Sequence, residues 1–439
     1  MASLAACAVL CALGAPAPAR AQAFTLDDAI ITTLRENPDM KSAREERNAV
    51  EQELIQALGF WHPWVDLDAA TGTEWSNNPT TRGREGRDVG ESGTLNMRRY
   101  ESNLVVTQLL FDGFAADHEI QRNRHRLEAA ARQITETAEL LTLRVVEVYY
   151  AVLRERVLLE ITRENVRSHE SLRAAADQRF RGGSGSKVEL AEASARLSKA
   201  RSEETEAVRR LLDANANYLR AVGRLPDVLL EPEVPDFALP RDVDEITDRV
   251  VTEHPSVRVV SSETDAIGEA VEVVKGPLYP RVNLELAGGY NKNLDGTRGY
   301  NNDVRAMLRM RYNLYRGGAD IGRVRELEHR LVRAREEIDV MRREVAEDAR
   351  ETWNKYVLGR ERTRELLEEL NHHTEIWELY WQQFDLGTRS LLDLLDAEQD
   401  LFNNRTDLVT QQVDRDVSVF RLLALQNMLL PTMGLTPNP

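Results

Sequence analysis

Few residues of this chain have the types and spacings that catalytic or metal-binding chemistry requires. His372 and His373 are adjacent, so on a helix they point about 100° apart and do not bind one metal ion together. The zinc-protease pattern HExxH and the hydrolase pattern GxSxG are absent from the sequence. The glycines between Arg181 and Lys187 do not follow the phosphate-binding pattern GxxxxGK[ST], and no strand precedes them. The sequence therefore predicts no enzyme, no cofactor and no metal site.

Charge and hydropathy narrow the class of protein further. The 439 residues include 57 Lys and Arg against 73 Asp and Glu, which gives a formal net charge of −16. Binders of nucleic acid or of anionic membrane surfaces need basic patches, so the acidic balance argues against both classes. After the N-terminus no stretch of about 18 residues is free of charge, which excludes a bundle of membrane-spanning helices.

The first 23 residues have the features of an export signal. Residues 1–19 carry no charge, are rich in Ala, Leu and Val, and lead into the A-x-A cleavage site Ala21-Gln22-Ala23. Both cysteines, Cys7 and Cys11, lie in this segment, so the predicted mature chain has no thiol. We expect residues 1–23 to be a signal peptide.

The remaining sequence contains two copies of one pattern. Asn37-Pro38 recurs as His254-Pro255 at an offset of 217 residues, and Phe180–Ser186 recurs as Phe384–Ser390 at an offset of 204. A proline-rich segment separates the copies. The predicted organisation is a first repeat over residues 24–223, a linker over 224–241, a second repeat over 242–430 and a C-terminal tail over 431–439.

Each repeat contains two segments in which apolar and polar side chains alternate. After Pro63, Val65 and Leu67 point one way and Asp66 and Asp68 the other, and the second repeat keeps this phase. An apolar face opposite a charged face is typical of strands in a membrane barrel; the alternative is a soluble sheet packed on a core. Four strands do not close a barrel, which needs about eight, so we expect three chains to supply 12 strands.

Long segments without helix breakers predict long helices. From Phe114 to Phe180 there is no Pro and no Gly over 67 residues, which is roughly 100 Å of helix. Two heptad seams, one through Ile134 and Val145 and one through Val146 and Tyr150, lie on nearly opposite sides. Contacts on two flanks favour a tube of helices over a two-helix coiled coil. Shorter helices are predicted over residues 25–58, 187–222 and 390–428.

The order of these segments and one motif resemble a known family. The repeated order of short helices, strand pair, long helix, glycine turn and helix is similar to that of the TolC-type outer-membrane channel-tunnel family. The segment Gly387-Thr388-Arg389, followed by Asp393-x-x-Asp396-Ala397, resembles its signature. The resemblance implies a fold that is mostly α with a small β part. The chain would be an internally duplicated protomer of a trimeric 12-stranded β-barrel continued by a long α-helical barrel.

The same resemblance implies partners and a location. It implies a passive duct in outer-membrane lipid that extends into the periplasm. The homotrimer would dock onto a periplasmic adaptor (membrane fusion) protein. An inner-membrane ABC transporter, or a proton-driven efflux pump, would complete the system.

The resemblance also implies roles for residues near the glycine turns. Asp393 and Asp396 match the acidic positions of the family's periplasmic gate, where rings of carboxylates bind and select cations. Arg389 matches a basic residue that holds the closed state, with Glu189 as its acidic partner. Phe384 replaces a Tyr that latches the closed state in some relatives. The helix turns that would dock the adaptor contain Gly183, Gly185 and Gly387.

Three functions stay open. The Arg-Gly-Gly-x-Gly turn at residues 181–185 and the run from Arg389 to Glu398 look most like members that serve type I secretion of large proteins. An outer-membrane component of a multidrug or small-molecule efflux pump is the alternative within the family. A periplasmic coiled-coil scaffold is the alternative of another class.

Overall fold

The computed structural model of this protein describes residues 24–79, 81–82, 94–236 and 239–435, and the predicted signal peptide lies outside these ranges. The first repeat contains α1 (Leu26–Glu36), α2 (Pro38–Leu58), β1 (Trp64–Ser76), β2 (Leu95–Phe111), α3 (Ala115–Arg181) and α4 (Lys187–Val222). The second contains α5 (Val243–Glu253), α6 (Pro255–Val273), β3 (Arg281–Lys292), β4 (Tyr300–Arg311), α7 (Ala319–Asp385) and α8 (Leu391–Leu425), followed by α9 (Leu429–Thr432). The same order of elements occurs twice, and the fold is mostly α with a small sheet, as predicted.

The N-terminal segment that was predicted to be helical over residues 25–58 is divided into two helices, α1 and α2. α1 begins after Thr25, which forms a capping box with Asp28. The helix ends at Asn37, whose backbone is extended (φ −63°, ψ 133°) and whose side chain accepts the N–H of Asp39 to cap α2. Pro38, at the start of α2, has no N–H to donate to the last carbonyls of α1, so the helix stops and restarts there.

The four strands form one antiparallel sheet in the order β1-β2-β3-β4. One row across the sheet pairs Leu67 with Leu104, Leu104 with Gly288, and Gly288 with Val304. This register places the apolar residues of all four strands on one face, as the alternation predicts. Leu67 is 67 % exposed and Val304 is 92 % exposed, so nothing in the described part of a single chain covers that face. Among the described strands, β1 and β4 each have one unpaired edge.

The two long helices, α3 and α7, have the same length of 67 residues. In α3, Ile134 and Val145 of the first seam and Val146 and Tyr150 of the second are all buried, so both seams have neighbours, as predicted. The main core surrounds the middle of α3, where α1, α4, α6, α8 and α9 pack against it. None of the described helices is long and apolar enough to span a membrane.

The linker and the C-terminal segment both pack against α3. The hydroxyl of Tyr149 lies 3.0 Å from the carbonyl oxygen of Phe24 and 2.6 Å from that of Leu230 in the linker. The carboxylate of Glu139 accepts the N–H of Leu430 at 3.3 Å. Helix α9 therefore joins the core, and it crosses the predicted boundary between the second repeat and the C-terminal tail.

Candidate functional site

Each long helix ends in a glycine turn of the same geometry. Gly183 and Gly387 have φ values of +78° and +77°, a left-handed conformation that glycine adopts without strain. In both turns the glycine N–H donates to the carbonyl three residues earlier, at 3.1 and 3.0 Å. Gly185 is needed for lack of space, because a Cβ there would lie only 3.0 Å from the Cβ of Arg179. The two turns reverse the chain into α4 and α8.

α4 and α8 begin with equivalent caps that orient two of the predicted site residues. The hydroxyl of Ser186 accepts the N–H of Glu189 at 3.1 Å, and the Glu189 carboxylate accepts the N–H of Ser186 at 3.0 Å. In α8, Ser390 accepts the N–H of Asp393 at 3.2 Å and its hydroxyl donates to Asp393 Oδ2 at 2.8 Å. Both carboxylates lie at the third helical position, where the helix dipole favours negative charge.

Arg389 contacts residues of its own repeat. Its Nε lies 3.3 Å from Asp393 Oδ2, although the pair is not aligned as a hydrogen bond. Its guanidinium lies over the ring of Tyr380, 3.9 Å from the centroid, in a cation–π contact. Within the described part of one chain, Arg389 therefore lies beside Asp393, whereas Glu189 caps α4. The stacking on Tyr380, one turn before Phe384, was not anticipated from the sequence.

Asp396 connects the two repeats near the glycine turns. Its Oδ1 accepts a hydrogen bond from Arg196 Nη2 of α4 at 2.9 Å. One turn further along both helices, Lys199 Nζ donates to Gln399 Oε1 at 3.3 Å. The side chains of Asp393 and Asp396 are 45 % and 57 % exposed, so ions can approach both carboxylates. The sequence offered no signal for the Arg196 contact, since the partner lies 200 residues away.

Behind these charged residues lies a cluster of apolar and aromatic side chains from four helices. Its buried members are Leu172, Ala176, Ala193, Phe384, Leu391, Leu394 and Leu395. Trp377 and Trp381 stack beside it with ring centroids 5.9 Å apart and an interplanar angle of 23°. The guanidinium of Arg179 lies 4.7 Å from the centroid of the Phe384 ring. Because the cluster combines α3, α4, α7 and α8, it fixes the four helix ends relative to one another.

Two buried titratable side chains, His169 of α3 and Glu398 of α8, lie about one helical turn from this cluster. Burial lowers the pKa of His169 to about 4, and the positive charges of Arg196 and Lys199 act in the same direction. The imidazole is therefore neutral at physiological pH. Burial raises the pKa of Glu398, while hydrogen-bonding groups beside it partly oppose this shift. Sequence reasoning did not single out either residue, because each lies on an amphipathic helix among many charged neighbours.

The exposed carboxylates near the turns offer electrostatic binding of cations. Asp393 and Asp396 lie three residues apart on one helix face, with one Arg beside each of them. Among the described residues, no three His, Cys, Asp or Glu side chains are arranged to hold a metal ion. The arrangement is that of two exposed carboxylates on one helix face, each beside an Arg side chain.

Comparison with known proteins identifies the family. The family model described as "Outer membrane efflux protein" matches residues 29–224 and 247–427, which is most of both repeats. The chain belongs to the outer membrane efflux protein family, whose fold is that of TolC-type channels. It is an outer-membrane protein that extends into the periplasm, and it is not an enzyme.

Individual relatives are distant in sequence but similar over nearly the whole chain. The outer membrane efflux protein BepC of Brucella suis is 23 % identical over 413 residues, covering 94 % of this chain and 87 % of BepC. The alkaline protease secretion protein AprF of Pseudomonas aeruginosa is 24 % identical over 414 residues, covering 90 % and 83 %. The solved CmeC outer membrane channel of Campylobacter jejuni has a TM-score of 0.78 at 14 % identity, with 92 % and 86 % covered. This last similarity shows a shared fold.

Proposed function

We propose that this protein is the outer-membrane duct of a type I protein-secretion system. The observation that carries the proposal is the similarity to AprF, named for alkaline protease secretion, over 90 % of the chain. The duct is passive, and an inner-membrane ABC transporter supplies the energy for transport. A periplasmic adaptor protein docks on the helix turns that contain Gly183, Gly185 and Gly387.

The duct assembles as a homotrimer. The open edges of β1 and β4 support this, because unpaired backbone groups at a strand edge favour pairing with another chain. Joining β1 of one copy to β4 of the next closes a barrel of 12 strands from three chains. The exposed apolar face with Leu67 and Val304 then contacts outer-membrane lipid.

The periplasmic gate of this trimer consists of Asp393 and Asp396. Three copies place six carboxylates around one axis, and such rings bind cations when the pore is narrow. In the closed state, Arg389 leaves Asp393 and pairs with Glu189. Glu189 occupies the third position of α4, as Asp393 does in α8. Exchanging partially exposed ion pairs changes the free energy by about 1 kcal/mol or less, a magnitude suited to a reversible switch.

The test compares the extracellular and cell-surface proteome of a strain lacking the gene with that of its parent. Loss of one or a few large proteins, restored by a plasmid copy of the gene, is the expected result. An unchanged proteome together with greater drug susceptibility would instead support small-molecule efflux with a proton-driven pump. That alternative is favoured by the similarity to BepC, an efflux protein by name. Nothing in the family assignment supports a periplasmic scaffold.

A further inference from the structure

A cleft between α3, α7 and α8 has the composition of a binding site that the proposed duct does not use. Its volume is about 410 Å³, and its lining includes Ser168, Trp377, Trp381, Glu398 and Arg405. Cavities of this size are within the usual range for small-molecule sites, roughly 300–1,000 Å³. Glu398 follows Asp396 by two residues, or about 200° of helix rotation, so the cleft opens away from the gate residues.

One buried carboxylate oxygen in the cleft has no aligned hydrogen-bond partner among the described residues. Glu398 is only 6 % exposed, and among the described residues nothing forms a hydrogen bond with its Oε2. The indole Nε1 of Trp377 lies beside this carboxylate as a donor, but the two groups are not aligned as a hydrogen bond. An unsatisfied buried donor or acceptor destabilises the fold, so buried polar groups normally have partners. Glu398 Oε2 therefore points to a ligand that donates a hydrogen bond to it.

The cleft has an excess of negative charge. Arg405 pairs with Glu164 at 3.4 Å, so its guanidinium is already engaged. Arg167 pairs at 3.0 Å with a glutamate outside the cleft. The two remaining lining carboxylates, Glu378 and Glu398, have no ion pair with any described residue. A positively charged ligand would compensate them.

The wall beside Glu398 is aromatic. Trp377 and Trp381 stack with centroids 5.9 Å apart, and stacked indoles attract flat apolar groups and cations. We propose that the cleft binds a small aromatic cation, with an amidinium or protonated amine on the Glu398 carboxylate and the ring against Trp377 and Trp381. The lining residues come from α3, α7 and α8 of the same chain, and the proposal does not depend on the proposed cargo.

Isothermal titration calorimetry of the purified full chain with benzamidine tests this site. We expect saturable binding of one benzamidine per chain. Glu398→Gln keeps the shape of the side chain but removes its charge, and it should weaken binding by roughly tenfold or more, since the charge-assisted hydrogen bond to the ligand is lost. The matched control is Glu375→Gln, an exposed residue of α7 outside the cleft, which should leave the affinity unchanged.

A second probe keeps the test independent of any variant. Benzamide has the same ring and shape as benzamidine but no charge, and it should bind the unmodified protein at least about tenfold more weakly. Equal affinity for benzamide and benzamidine, or equal affinity of the Glu398→Gln and unmodified proteins, would overturn the proposal. Absence of saturable benzamidine binding would overturn it as well.

Discussion

Glu139→Gln should remove most of a pH dependence of stability that originates in one buried carboxyl group. Glu139 is only 3 % exposed, and its carboxylate accepts the N–H of Leu430 at 3.3 Å. Its other oxygen, Oε2, has no hydrogen-bond partner among the described residues. Burial raises the pKa of Glu139 from 4.5 to about 8, against the opposing effect of the backbone N–H groups of Leu429 and Leu430.

The sign of the effect follows from proton binding. Between pH 4.5 and about 8 the folded chain keeps the proton on Glu139 and the unfolded chain releases it, so rising pH favours unfolding. The contribution of Glu139 to stability is therefore fully present below pH 4.5, the pKa of this group in the unfolded chain. It is lost as the pH rises towards about 8, the pKa in the folded chain. From pH 5.5 to pH 8.5 the free energy of unfolding falls by about 3 kcal/mol through this group. Glutamine does not titrate, and its carbonyl still accepts the N–H of Leu430.

The assay is thermal unfolding of the purified protein, followed by circular dichroism of its helices at both pH values and at one scan rate. The unmodified protein should lose more stability than Glu139→Gln as the pH rises. Glu160→Gln, on the exposed side of the same helix, should behave like the unmodified protein. His254 lines the same cavity, and burial lowers its pKa, so His254 contributes stability that is lost as the pH falls, opposite in sign to the effect of Glu139, in all three proteins. A parallel loss of stability in the unmodified and Glu139→Gln proteins would refute the reasoning.

Three further predictions concern the gate and the core. Asp393→Ala combined with Asp396→Ala should abolish cation block of the reconstituted channel, because the carboxylate ring is removed; unaltered block would contradict the gate assignment. Arg389→Ser should raise single-channel conductance, since the proposed closed-state pair with Glu189 can no longer form; an unchanged closed state would argue against the latch. Tyr149→Phe should lower the free energy of unfolding by about 1–2 kcal/mol, because the Leu230 carbonyl loses its donor; an unchanged melting temperature would contradict that contact.

Matched controls separate these effects from general perturbation. Glu375→Ala removes an exposed charge from α7 without altering the proposed ring on α8, so cation block should persist. Tyr315→Phe removes a hydroxyl from a residue that is 82 % exposed and should leave the melting temperature unchanged.

Much of the fold could be predicted because its signals are local. The alternation around Leu67 predicts a strand with one apolar face, and the register with Leu104 confirms it. The absence of Gly and Pro after Phe114 predicts a helix of the length that α3 has. The division between α1 and α2 is also encoded locally, in Asn37 and Pro38.

The partners of the candidate site residues could not be predicted in the same way. Spacing places Asp393 and Asp396 on one face of α8, yet it does not show that Asp396 meets Arg196 or that Arg389 stacks on Tyr380. Those contacts depend on how far each helix is rotated and shifted along its neighbour, which is a property of the packed assembly. The burial of Glu398 and Glu139 has the same origin, because a glutamate on an amphipathic helix is buried only when a third element covers it.

By itself, the sequence determined the order and length of the elements, the duplication and the apolar face of the sheet, since these follow from periodicity and helix-breaking residues within a few turns of chain. Only the tertiary structure decided which charges are paired and which are buried. The 67-residue helices α3 and α7 bring residues about 200 positions apart into contact, and the identity of those contacts is set by helix rotation and axial register.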